Sequence, residues 1–152
     1  MDRPVYKRVM HFKRKHPMTV GWRIRQNSSV VEKHLNDDEE VKYAFIAQKN
    51  DNPLNIFESA VVCLTNKRIL IGRKRVVFGY FLNSITPDMY NDLEVKGGII
   101  WGKIYIDTVK EFVTLSNISL SALDEIETNI TEYMMAEKKK YKDKDKDKNE
   151  DK

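Results

Sequence analysis

Apolar residues recur at every second position through the middle of the chain, and at every third or fourth position on either side of it. The period of two starts at Val41. It predicts seven strands, over residues 41–49, 57–65, 68–72, 76–82, 88–95, 99–107 and 111–118. Breakers fall between them: Pro53 in a loop over residues 50–55, Asn66-Lys67, the run Arg73-Lys74-Arg75, Pro87, Gly97-Gly98 and Val109-Lys110. Gly97-Gly98 suits a hairpin turn that needs positive φ, and Asn66 tolerates the same backbone. In the sixth run Ile100, Ile104 and Ile106 share a face with Gly102, while Trp101, Lys103, Tyr105 and Asp107 take the other.

The flanks read as helices. Val5, Val9 and Phe12, with Tyr6 and Met10 beside them, form an apolar stripe on a short basic helix that Pro4 opens and Pro17 stops. Ser29-x-x-Glu32 is a capping-box pattern ahead of a short turn ending near Leu35. After the strands, Leu123, Ile126, Ile130, Tyr133 and Met134 share one face of a helix from Ser119 or Ser121 to about Glu137. Seven short strands followed by one amphipathic helix predict an antiparallel meander whose open end the helix covers.

Charge changes this picture little in the middle and much at the ends. The net +4 combines +7 in residues 1–26 and +2 in residues 137–152, leaving −5 for residues 27–136. The basic balance therefore belongs to the arms, which weakens the argument for a nucleic-acid-seeking domain. The last residues alternate Lys and Asp with no aliphatic side chain, and are expected to be a disordered tail. No apolar run reaches 18 residues, so no membrane-spanning helix is expected, and no secretory signal is visible.

Chemistry-bearing constellations are sparse. His11, His16 and His34 all precede the strands, and none stands at ligand spacing with Cys or an acid. The lone Cys63 lies in an apolar run and reads as an inert thiol in a reducing compartment. No phosphate-cradling glycine motif occurs. No catalytic residue, metal site or cofactor is expected.

The segments "AVVCLTNKRILI", "FGYFLNSIT" and "GGIIWGKIYI" follow one another in an order that resembles the bacterial pleckstrin-homology (PH) domain family, especially its short YokE-like members. There a "LTNKRLI" hairpin precedes a "PLxxI" segment and a later "GxxxGKIxI". The resemblance covers roughly residues 28–136. It implies a mainly β, PH-like seven-stranded antiparallel barrel or sandwich. Two sheets of about four and three strands would pack near-orthogonally. A C-terminal helix caps them, and the N-terminal helical segment is an addition. The expected layout is a basic helical extension over residues 1–27, a PH-like domain over 28–137 and a disordered charged tail over 138–152.

Turns of a meander alternate between its two ends. The Asn66 turn therefore points one way, and the Arg73-Lys74-Arg75 turn the other, alongside the loop that starts at Lys49. PH domains typically bind phosphoinositide headgroups at that second end. The resemblance thus implies a candidate anion- or partner-binding site at Lys49, Arg73, Lys74 and Arg75. The first loop departs from the lipid-binding pattern, since Lys49 is its only cation and Asp51 lies beside it. The expected function is a non-enzymatic binding or adaptor module in the cytoplasm, first of all for a protein partner. One alternative is recruitment to an anionic membrane surface by that tip and a surface helix carrying Lys7, Arg8, Phe12, Lys13, Arg14 and Lys15. Another is nucleic acid held by the basic N-terminus, with Tyr6, Phe12 and Trp22 available for stacking.

Overall fold

The computed structural model describes residues 2–49 and 58–150, so Asp51, Pro53 and the loop break read there lie outside the described residues. The strands are β1 (Val41–Gln48), β2 (Ser59–Thr65), β3 (Ile69–Lys74), β4 (Tyr80–Ile85), β5 (Tyr90–Gly97), β6 (Trp101–Thr108) and β7 (Phe112–Ser119). They pair in the order β4-β3-β2-β1-β7-β6-β5, antiparallel throughout. The four-strand and three-strand halves meet at the single pair Gln48↔Ser116, and the sheet curls there into a half-barrel. Phe45, Ile46, Ile69, Ile104, Ile106 and Leu115 fill the core. The period-two reading holds in β6, where Gly102, Ile104, Ile106 and Thr108 are buried and alternate with more exposed residues.

The C-terminal cap also forms. A 3-10 turn (Leu120–Ala122) leads into α3 (Leu123–Glu150). Leu123, Ile126, Ile130 and Met134 are buried along the face the spacing picked out. Residues 138–150, read as a disordered tail, instead continue α3. Their composition forbids a core but not a helix. Lys is a good helix former, an existing helix extends without a new nucleation step, and Lys140 pairs with Glu137 at 3.0 Å.

The N-terminal extension is built into the domain. In α1 (Pro4–Lys15) the stripe Val5, Val9 and Phe12 is buried against β1 and α2 (Ile24–His34). Phe12 meets Tyr43 edge-on at 6.3 Å and Phe45 at 5.7 Å. The boundary expected between residues 27 and 28 falls inside α2, which starts before the capping box; Ser29 is interior to the helix. Glu32 caps a different helix. Its carboxylate accepts from the Val5 and Tyr6 amides at 3.2 and 3.3 Å, the first turn of α1. Residues 16–22 then run from β7 to β2 past the end of β1: the Val20 amide donates to the Asn117 carbonyl at 3.0 Å, and the Trp22 amide to Ser59 Oγ at 3.1 Å. The N-terminal segment is thus tied to the strands on either side of β1.

Two turns differ from expectation. Gly97 and Gly98 keep negative φ; the positive-φ residues among those described are Arg23, Gly79 and Asn117. Glycine at 98 answers a close approach, since a Cβ there would sit 2.6 Å from the Trp101 carbonyl oxygen. Asn66 also keeps negative φ. It acts through its side chain, with Oδ1 accepting from the Glu40 amide at 2.8 Å.

Candidate functional site

The β3–β4 hairpin is where the structure departs most usefully from the sequence pattern. Arg73 and Lys74 are not in the turn but in β3, paired with Phe81 and Tyr80. The turn comes later: the Arg75 amide donates to the Gly79 carbonyl at 3.0 Å, and Gly79 takes φ +75°. Val76, Val77 and Phe78, read as the start of a strand, therefore form the tip and are 63%, 76% and 81% exposed.

Strand alternation then splits the four residues expected to act together. Arg73 faces a hollow of about 210 Å³ that Lys49, Glu58 and Phe81 also line. Its guanidinium lies 4.6 Å from the Phe81 ring centre, and that of Arg75 lies 5.2 Å from it. Lys74 points to the opposite face, toward α2. There it lines a groove of about 410 Å³ with Arg3, Arg25, Lys33, His34 and Tyr80. Gly72 lets α2 lie close on this face: a Cβ there would come within 2.6 Å of Val31 Cγ2. Sequence reading missed Arg3, Arg25 and Lys33. Arg25, Ser29 and Lys33 form an i, i+4, i+8 stripe, but it shows only once the helix is known to begin at Ile24.

The candidate surface helix is otherwise engaged. Phe12 is 2% exposed and faces the core, so it is not offered to a membrane. Lys7 pairs with Asp2 and Lys15 with Glu125, each at 2.9 Å. Arg8 donates to the Lys42 carbonyl at 3.1 Å. Lys13 donates to the Pro17 carbonyl at 3.0 Å and to that of Thr19, closing the end of α1, and burial lowers its pKa. Arg14 is exposed. Of the aromatics considered for stacking, Tyr6 lies against the Arg3 guanidinium and Trp22 is exposed.

Two polar clusters resemble chemistry but serve the fold. His16 Nδ1 meets Ser121 Oγ at 2.8 Å and its Nε2 meets Glu125 at 2.5 Å, a Ser–His–Glu array that no spacing announced. His16 is buried and lines none of the described hollows, so the array fastens the end of α1 to the start of α3. Partial burial opposes ionisation of Glu125, yet the hydrogen bonds from Lys15 and His16 hold its carboxyl below the usual range. At the far end Arg68 grips the buried Glu39 carboxylate at 2.6 Å and donates to the His34 carbonyl at 3.0 Å. Cys63 is buried, and that burial pushes its thiol up to about 12. Among the described residues, no three His, Cys, Asp or Glu side chains gather to hold a metal, and no helix is long and apolar enough to cross a membrane.

Comparison with known proteins places these features in a family. The model of the family described as a bacterial PH domain matches residues 35–132. A solved pleckstrin homology domain from Shewanella amazonensis SB2B is similar at 14% identity and a TM-score of 0.43, over 74% of this chain and 86% of that one. No curated protein matches.

Proposed function

Because the chain belongs to the bacterial PH domain family, we propose that it is a non-catalytic docking module that attaches to an anionic membrane surface through the β3–β4 hairpin. The tip carries the reading. Val76, Val77 and Phe78 stand exposed directly after Arg73, Lys74 and Arg75, and no Asp or Glu occurs from residue 59 to residue 87. Three contiguous apolar side chains in water favour an apolar partner. Each neighbouring cation adds about 1 kcal/mol of attraction to an anionic leaflet. In this reading the Val and Phe side chains enter the headgroup boundary, while the Arg and Lys stems lie along it with their charges at phosphate level. The module works in the cytoplasm at the inner membrane face. The apolar stripe of α1, Val5, Val9 and Phe12, is buried, which favours the hairpin over α1 as the contact.

Co-sedimentation tests this with vesicles of phosphatidylcholine, with and without phosphatidylglycerol. The chain pellets with the anionic vesicles, and Val77→Asp with Phe78→Asp abolishes pelleting while the circular dichroism stays unchanged. Undiminished pelleting of the double variant would refute the reading. A protein partner is the second reading, favoured by the β5–β6 tip, where Ile99 is 96% exposed beside the half-exposed Ile100.

A further inference from the structure

We propose that the groove between α2 and the β3–β4 hairpin is a binding site for a phosphate-bearing polyanion, assembled by the N-terminal helices on the outer face of the sheet. The groove encloses about 410 Å³, and its lining includes Arg3, Arg25, Lys33 and Lys74 but no Asp or Glu. Arg3 is already matched by Glu32 at 2.9 Å. Arg25, Lys33 and Lys74 make no ion pair among the described residues, so three cations face one hollow without compensation. Like charges so placed repel each other, and a ligand with two or more negative charges removes that repulsion while accepting their hydrogen bonds.

The frame around these cations is fixed before any ligand arrives. The Lys74 amide donates to Asn27 Oδ1 at 2.9 Å, and Arg23 donates to the Lys74 carbonyl at 3.1 Å. His34 joins the two walls: its Nδ1 meets the Val30 carbonyl at 2.7 Å and its Nε2 meets the Tyr80 hydroxyl at 3.0 Å. The hollow on the opposite face, with Lys49 and Arg73, includes the acid Glu58 and about half the volume. The outer groove is therefore the better anion site, and it exists only because α2 is part of the domain. The proposal shares Lys74 with the membrane reading but does not depend on it. Its shared chemistry is a phosphomonoester or diphosphate, whose source is either a lipid headgroup or a soluble molecule.

The test uses the full chain, titrated calorimetrically with inorganic pyrophosphate, and in parallel by co-sedimentation with phosphatidylcholine vesicles containing phosphatidic acid. The double variant Lys33→Gln with Lys74→Gln weakens binding by at least about tenfold. Arg14→Gln, a surface cation remote from the groove, leaves it unchanged. Binding of pyrophosphate alone that the double variant weakens assigns a soluble ligand; binding of phosphatidic acid vesicles alone that Lys33→Gln by itself weakens assigns a lipid, since Lys33 lies outside the hairpin used in the membrane reading. Binding of neither probe, or an equal loss in Arg14→Gln, overturns the proposal. Val77→Asp with Phe78→Asp keeps pyrophosphate binding while losing vesicles, which separates a failure of this site from a failure of the membrane reading.

Discussion

Arg68 ties the β2–β3 hairpin to the segment ahead of β1 by gripping Glu39, whose side chain is fully buried. Removing one partner leaves an uncompensated charge inside, so Arg68→Ala or Glu39→Ala should cost about 3–5 kcal/mol. Urea unfolding reads this as a lower midpoint at unchanged slope. The same carboxylate sets an acid limb. Burial opposes its ionisation, but Arg68 and Thr65 outweigh that and lower its pKa from 4.5; Glu125 is lowered likewise. A depressed carboxylate contributes stability that is fully present above its unfolded pKa and is lost as pH falls through the folded value. Stability should therefore hold above about pH 5 and fall below the ordinary carboxylate pKa near 4.5. Glu39→Gln with Glu125→Gln should flatten that fall in thermal melts taken across pH 3–5. The sequence shows Lys67 and Arg68 as charges at a hairpin corner. It does not show that Arg68 turns inward, because its partner lies 29 residues upstream.

The strands are the most legible elements: β6 repeats the apolar alternation in its burial, while β2 is buried at every position, as its continuous apolar run suits. Turn positions were less so. The run Val76-Val77-Phe78 has the composition of a strand, and only the pairing of Lys74 with Tyr80, closed by Gly79 at positive φ, pushes it out into the tip. The candidate anion site was half legible. Lys74 was marked by its neighbours, but Lys49 and Arg73 share the opposite face, and Arg3, Arg25 and Lys33 reach the groove from helices packed across the fold. Among the helices, Phe12→Ala should cost about 3–5 kcal/mol in urea unfolding, as for a buried aromatic in a core. A helix lying free on the surface would show almost no change. Truncation after Lys138 should lower the far-ultraviolet helix signal, yet leave the unfolding free energy within about 0.5 kcal/mol, because the described side chains from Lys139 onward are charged and exposed.

At the scale of the whole molecule, half of the eight cations in residues 1–26 fasten α1 internally: Lys7, Arg8, Lys13 and Lys15 each bind an acid or a carbonyl of the same chain. The outward positive charge comes instead from the acid-free stretch over residues 59–87 and from the face of α2 beside it. Charge and exposed apolar surface thus coincide at one hairpin, the contact element of the proposed docking module. The buried Cys63 makes that contact directly measurable, because a polarity-sensitive thiol dye will label an introduced surface cysteine selectively. The decisive measurement compares dye emission from Val77→Cys with that from Lys67→Cys, at the opposite end of β3, on adding phosphatidylglycerol vesicles. Membrane contact at the hairpin gives a blue shift at position 77 that raised salt diminishes, and none at position 67. No shift at position 77, or equal shifts at both, would contradict it.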